Sequence, residues 1–157
     1  MVDGRTLLDD WIQKFADEFS IMLVARSRPL DRKYVLKQLT ELVSKLPEKN
    51  VIYVLSIKKE GRVPVYVGKS DDPLIRWKEH LKRLKEGKGH YSKWRQTLFE
   101  KNQAKFDICL SLVPKSRISK PPIPEFPTTI GAVEYQLVEL VTENYPGTAL
   151  NVEGKRR

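Results

Sequence analysis

The run VIYVLSIKKEGRVPVYVG, residues 51–68, constrains this chain more than any other. Two stretches rich in β-branched and aromatic residues flank a charged turn containing Gly61, which is the pattern of a β-hairpin. Pro64 has no N–H to give to a ladder, so the second stretch is expected at a sheet edge or a strand start. Helical periodicity lies on both sides of this hairpin, and AKFDICLSLV at 104–113 reads as a third strand. The expected class is therefore α+β, with a small antiparallel sheet of about three strands flanked by helices.

Ahead of the hairpin, Leu7, Leu8, Trp11, Ile12, Phe15, Phe19 and Leu23 recur at helical spacing, predicting an amphipathic helix over 5–24. A second helix is expected from Asp31 to about Leu46, with Tyr34, Leu36, Leu39, Leu42, Val43 and Leu46 buried and Pro47 closing it. Residues 1–48 thus read as a helical extension that packs against the rest or serves as a dimerising or DNA-clamping arm. Residues 49–157 would form the main domain. After the hairpin, Asp71 or Asp72 caps a helix with Pro73 in its first turn, ended by Gly87 and Gly89. Its core stripe is Leu74, Trp77, Leu81 and Leu84, and Arg76 and His80 share a face about 100° away, at the boundary. Further helices are expected over 91–101 and 129–144, separated by the third strand and by a Pro-rich, basic loop or inserted arm at 115–129.

The 157 residues suffice for one compact domain with its own core. The formal charge of +9 is uneven, because Lys58 to Lys105 holds 14 Lys and Arg against 6 Asp and Glu. Clustered positive charge beside Tyr and Trp is the footprint of a polyanion binder, with a solvated basic surface as the ordinary alternative. A single cysteine, Cys109, has no partner for an intramolecular disulfide, so a reducing cytoplasm is the expected location. The longest apolar run, IMLVA, is too short to span a bilayer, and the acidic start with Asp3, Asp9 and Asp10 is unlike a signal peptide. No membrane association is expected.

Five short patterns occur in order: V-I-Y at 51–53, Y-V-G at 66–68, R-W-K-E-H at 76–80, Glu134 within GAVEYQLVELV, and Asn151 after a proline. Together they resemble the GIY-YIG nuclease superfamily over about residues 50–152. Val51 stands where the family has Gly and Val67 where it has Ile, and neither position carries a functional group. The resemblance implies a metal-dependent endonuclease that hydrolyses phosphodiester bonds, with double-stranded DNA as partner. It also implies that Glu134 binds one divalent cation, expected to be magnesium, which keeps several waters and takes substrate oxygens as its remaining ligands.

The implied roles follow the chemistry of the bond. Tyr53 would hydrogen-bond the attacking water and, as phenolate or through His80, act as general base. Its ordinary pKa of about 10 is too high for that, so a nearby cation, Arg76 or Lys69, is expected to lower it. Arg76 would also grip phosphate oxygens with its planar fork. Tyr66 would position substrate, Gly68 would let the chain leave its strand sharply, and Asn151 would brace the site. Lys82, Arg83, Lys93, Arg95, Lys115 and Arg117 are the expected backbone contacts, with base discrimination in the 115–129 segment.

Each residue also has an ordinary explanation. Strand tyrosines are commonly half-buried, a helix-boundary histidine is commonly a surface group, and an acid near a helix start is favoured by the dipole. The joint order is what those explanations leave out. No zinc-binding cysteine cluster and no long recognition domain follow the core, so the chain looks most like the type II restriction endonucleases of the superfamily, which would dimerise or assemble on DNA to cut both strands. A structure-selective or repair nuclease, a non-catalytic nucleic-acid-binding module on the same fold, and a basic RNA-binding domain are the alternatives.

Overall fold

The computed structural model describes residues 3–24, 30–59, 61–100 and 106–151. The expected end of the helix at Lys101, the first two residues of the 104–113 strand and the basic residues 152–157 lie outside them. The α+β class holds, with helices on both faces of one antiparallel sheet.

The hairpin forms as read. Strand β2 (Val51–Lys58) pairs antiparallel with β3 (Arg62–Ser70), which is an edge strand, as Pro64 requires. Leu55 faces Tyr66 while Ser56 faces Pro64, so Val65 is an extra residue and marks a β-bulge. Val65 and Tyr66, neighbours in sequence, consequently both join the same core. Strand β4 (Asp107–Pro114) lies on the other side of β2.

Among the described residues the sheet has four strands rather than three, in the order β1-β4-β2-β3. The extra strand, β1 (Ser20–Val24), comes from the segment expected to continue the first helix. That helix, α1, covers only Gly4–Phe15, and Ala16 caps it. The apolar spacing of Phe19 and Leu23 fits a helix and a strand alike, and pairing with β4 decides between them. Residues 3–48 therefore supply a strand to the sheet and a helix to each face, not a helical extension alone. On α2 (Arg32–Ser44) the buried stripe is Val35, Leu39 and Leu42, whereas Tyr34, expected inside, is 57% exposed.

Two cores result. On one face, α2, α3 (Pro73–Glu86) and α4 (Tyr91–Arg95) cover Val51, Tyr53, Leu55, Leu110 and Leu112. On the other, α1 and α5 (Ile130–Asn144) cover Ile52, Val54, Val67 and Val113. Asp72 caps α3, Pro73 opens it and Gly87 closes it in the left-handed region at φ 67°. A π-helical turn, Gln96–Glu100, continues α4.

The Pro-rich segment opens with a 3₁₀ turn, Lys115–Arg117, and is a packed loop rather than a free arm. The Trp11 indole donates to the Lys120 carbonyl at 2.9 Å, and Gln136 accepts from the Ile123 N–H and donates to the Pro127 carbonyl. No helix among the described residues is long and apolar enough to cross a membrane.

Candidate active site

Tyr53 on β2 and Gly68 on β3 stand directly opposite each other in the ladder. A side chain at Gly68 would occupy the space taken by the Tyr53 ring. The glycine is needed for that close approach, inside a strand that continues to Ser70, and not for the expected sharp exit. Tyr66 stacks beside Tyr53, with ring centroids 6.0 Å apart and planes at 26°.

From α3, one turn apart, come Arg76 and His80. Arg76 is exposed, but His80 is only 6% exposed rather than at a boundary. The reason is α4, which folds over this face of α3 and brings Trp94 flat against the imidazole, centroids 5.2 Å apart at 28°. Trp77 also packs against it, tilted at 57° with centroids 4.8 Å apart. Both ring nitrogens are hydrogen-bonded: Nε2 lies 3.1 Å from the Tyr53 hydroxyl and Nδ1 lies 2.8 Å from the Tyr91 hydroxyl.

These groups open on a cavity of about 300 Å³ lined by Tyr53, Tyr66, Lys69, Arg76, His80 and Glu134. Glu134, in the second turn of α5, is buried and reaches it from across the sheet edge. Lys69 is exposed, with its ammonium 3.7 Å from the position a Cβ would take at Gly131, beside the start of α5. Glu79, His90 and Tyr91 also line the cavity, and none of them is among the expected site residues.

Asn151 is not in the cavity wall. Its side-chain amide accepts from the Val67 N–H and donates to the Val67 carbonyl, both at 2.9 Å, while the Leu150 N–H donates to the Val65 carbonyl. The chain around Asn151 thereby clamps the free edge of β3 on both sides of Tyr66 and covers it.

Of the expected backbone contacts, Arg83 alone lines the cavity, and its Nε donates to Glu79 at 3.0 Å. Lys82, Lys93 and Arg95 are exposed on α3 and α4 outside it. Lys115 and Arg117 are exposed in the 3₁₀ turn, where Arg117 pairs with Glu18 at 2.9 Å. A larger groove of about 900 Å³ lies at the opposite end of the hairpin, beside Lys58 and Arg62. Asp17 is engaged there with Arg62 and Asp9 with the Tyr145 hydroxyl, and no histidine is among the residues that line it.

Burial sets the resting protonation. It pushes the Tyr53 phenol well above its usual range, and the neighbouring Tyr66 adds to this. Arg76 does draw it down, as expected of a nearby cation, but desolvation wins. For His80 burial, then Arg76 and His90, lower the pKa to about 3, so the imidazole is neutral at physiological pH. Tyr53 is thus a neutral phenol held against a neutral imidazole, not a preformed phenolate.

Compared with family models, curated proteins and solved structures, the chain finds no match in any of the three.

Proposed function

We propose that this chain is a metal-dependent endodeoxyribonuclease, most like a sequence-specific restriction enzyme acting on double-stranded DNA. The observation that carries this reading is convergence: Tyr53, Tyr66, Lys69, Arg76, His80 and Glu134, read from four separate stretches of sequence, line one cavity. Residues with unrelated packing duties would have no reason to meet there.

The implied cation fits the donors present. Glu134 is one buried carboxylate and Glu79 a second, exposed one on the same cavity. Among the described residues no group of three His, Cys, Asp or Glu forms a protein cage. Magnesium needs no such cage, because one or two carboxylates suffice and phosphate oxygens and water complete its shell, whereas a structural zinc site needs four protein ligands. When bound by Glu134, the cation would neutralise charge on the phosphate and on the departing oxygen.

The remaining steps belong to side chains. The Tyr53 oxygen accepts a proton from the attacking water while its own hydroxyl proton passes to His80 Nε2, so the phenol never has to ionise in isolation. The imidazolium so formed is disfavoured at rest by burial, and the negative charge gathering on the phosphate offsets that penalty. Arg76 binds two phosphate oxygens with its fork, Lys69 adds a second cation at the mouth, and Tyr66 confines the water. The exposed bases Lys82, Arg83, Lys93, Arg95, Lys115 and Arg117 would follow the phosphate backbone.

The test is incubation of unmodified plasmid and phage DNA with the protein, with and without magnesium, beside Glu134→Ala. Discrete magnesium-dependent bands absent from the variant are expected. DNA that is shifted in a gel but left whole, junction and flap substrates included, would make the chain a binding module instead.

A further inference from the structure

The Pro-rich loop ahead of α5 makes one tight turn. The Phe126 N–H donates to the Ile123 carbonyl at 3.2 Å, with Pro124 and Glu125 between them. Glu125 stands at φ 72°, in the left-handed region. A proline followed by a residue of positive φ is the pattern of a type II turn, whose third position ordinarily holds glycine. A glutamate there is strained, and such strain persists where the surroundings impose it. Gln136, buried on α5 at 1% exposed, does so: its amide accepts from the Ile123 N–H at 3.0 Å and donates to the Pro127 carbonyl at 2.8 Å, gripping both feet of the turn. Ile123 also packs against the core beneath α1 and α5. From Pro124 to Thr129 the chain is exposed, and the large apolar side chain in that run is Phe126, half out of the protein at 50%.

We infer that Phe126 is a preorganised wedge that stacks on a base of bound DNA, next to the candidate active site. Apolar side chains, phenylalanine among them, enter base steps in this way, and a ring held rigid beforehand loses little freedom on binding. Its place along the chain suits the task. Five residues on, Gly131 stands beside the Lys69 ammonium, so the Phe126 Cα lies within about 18 Å of the cavity mouth, the rise of about five base pairs. Charge favours nucleic acid over an apolar protein partner: the 115–129 segment carries Lys115, Arg117 and Lys120 against Glu125 alone, and Lys69 and Arg76 line the cavity beyond. The Glu125 carboxylate at the turn accepts hydrogen bonds and repels phosphate, so the turn would meet base edges that carry amino groups rather than the backbone. DNA as the partner rests on the nuclease reading; the rigid presentation of Phe126 does not.

The test uses the full chain and fluorescence. The three native tryptophans, Trp11, Trp77 and Trp94, are buried, so Phe126→Trp adds an exposed indole whose emission is read as the difference from wild type. Stacking needs no particular base, because every base has a π face, so random-sequence duplex DNA without magnesium is the probe. As DNA saturates the protein, the added emission should be largely quenched and should become inaccessible to acrylamide, while Tyr34→Trp, at an exposed site on α2, keeps its emission. Phe126→Ala should bind the same DNA about tenfold more weakly, with an unchanged urea melt. An added indole that stays bright and accessible in the complex overturns the inference and leaves the turn to a protein partner, and so does Phe126→Ala binding as tightly as wild type. Failure to bind DNA at all overturns it too. Quenching on DNA that is never cut with magnesium present would end the nuclease reading and leave the wedge standing; cleaved DNA with an unquenched indole would do the reverse.

Discussion

The ring of Tyr53 lies across the backbone of Gly68, so closely that a Cβ built there would stand 2.4 Å from the Tyr53 Cζ and hydroxyl oxygen. The pair is a cross-strand partnership in which one residue contributes only its lack of a side chain. The contacts of the Tyr53 ring with His80 at 3.1 Å, with the stacked Tyr66 and with the edge-on Trp77 depend on that space.

Gly68→Ala should therefore displace the ring. Overpacking of this kind costs about 1–3 kcal/mol, and cleavage should fall by more than the stability loss alone implies because the Tyr53–His80 bond is broken with it. Gly61→Ala, where nothing lies within 4 Å, is the control and should leave both quantities nearly unchanged. Urea melts and a plasmid-cleavage assay on the two variants decide the matter; a Gly68→Ala protein as stable as wild type would sink the account.

Asn151 acts at a distance from the cavity, through Val67. Truncation in Asn151→Ala orphans a backbone N–H and a carbonyl on the edge strand, at about 1–3 kcal/mol for each buried group left unsatisfied. The Val67 amide should lose its protection against hydrogen exchange while amides in β4 keep theirs. Activity should drop as Tyr66 and Gly68, on either side of Val67, lose their register. Protection at Val67 that survives the substitution would show that the clamp is redundant.

The parts of this structure that the sequence disclosed are those whose signals are local. Proline at an edge strand, an aspartate and a proline opening α3, and a glycine closing it each act within a few residues. What it hid depends on packing across the chain. Phe19 and Leu23 satisfy helix and strand periodicities equally, and only the ladder to β4 makes SIMLV a strand. His80 looks like a boundary residue on α3 considered alone, and α4, a helix of five residues, buries it. Tyr91 stayed unread for the same reason: within HYSKWR it is one aromatic among basic groups, and its partner lies eleven residues back on another helix. The resemblance of the ordered motifs picks out the site tyrosines, Arg76 and Glu134, but their meeting at one cavity is a tertiary fact.

Burial of His80 predicts a specific acid response. Its folded pKa of about 3 lies below the ordinary 6.5, so as pH falls through that interval the unfolded chain takes up a proton that the folded chain refuses. The stability contributed by neutral His80 is fully present above pH 6.5 and is lost progressively toward pH 3, with a slope of at most about 1.4 kcal/mol per pH unit. His80→Gln, which cannot titrate, should be less stable near neutrality yet lose stability more slowly on acidification. Asp3 and Glu48, whose pKa values are lowered by hydrogen bonds, lose stability in the same direction in both proteins, so the difference between the two curves reports His80. Parallel denaturation curves across the interval would mean that the imidazole is already protonated in the fold.

The basic surface predicts how binding responds to salt. Lys82 on α3 and Lys93 on α4 are both exposed and outside the cavity, so neither has a part in the chemistry. If each meets one phosphate, its replacement by Ala should reduce the slope of log K against log salt by about 0.9, equally on all DNA sequences. Arg117 differs because Glu18 already offsets its charge at 2.9 Å, and a phosphate must displace that carboxylate. Arg117→Ala should accordingly change the slope less than either lysine substitution, whereas Glu18→Ala, which releases the guanidinium, should tighten binding at low salt and steepen the dependence. Titrations at several salt concentrations, made without magnesium so that the DNA stays whole, separate these cases. Equal slopes for wild type, Lys82→Ala and Lys93→Ala would remove the α3–α4 surface from the path of the DNA and leave the 115–117 turn as the place to look.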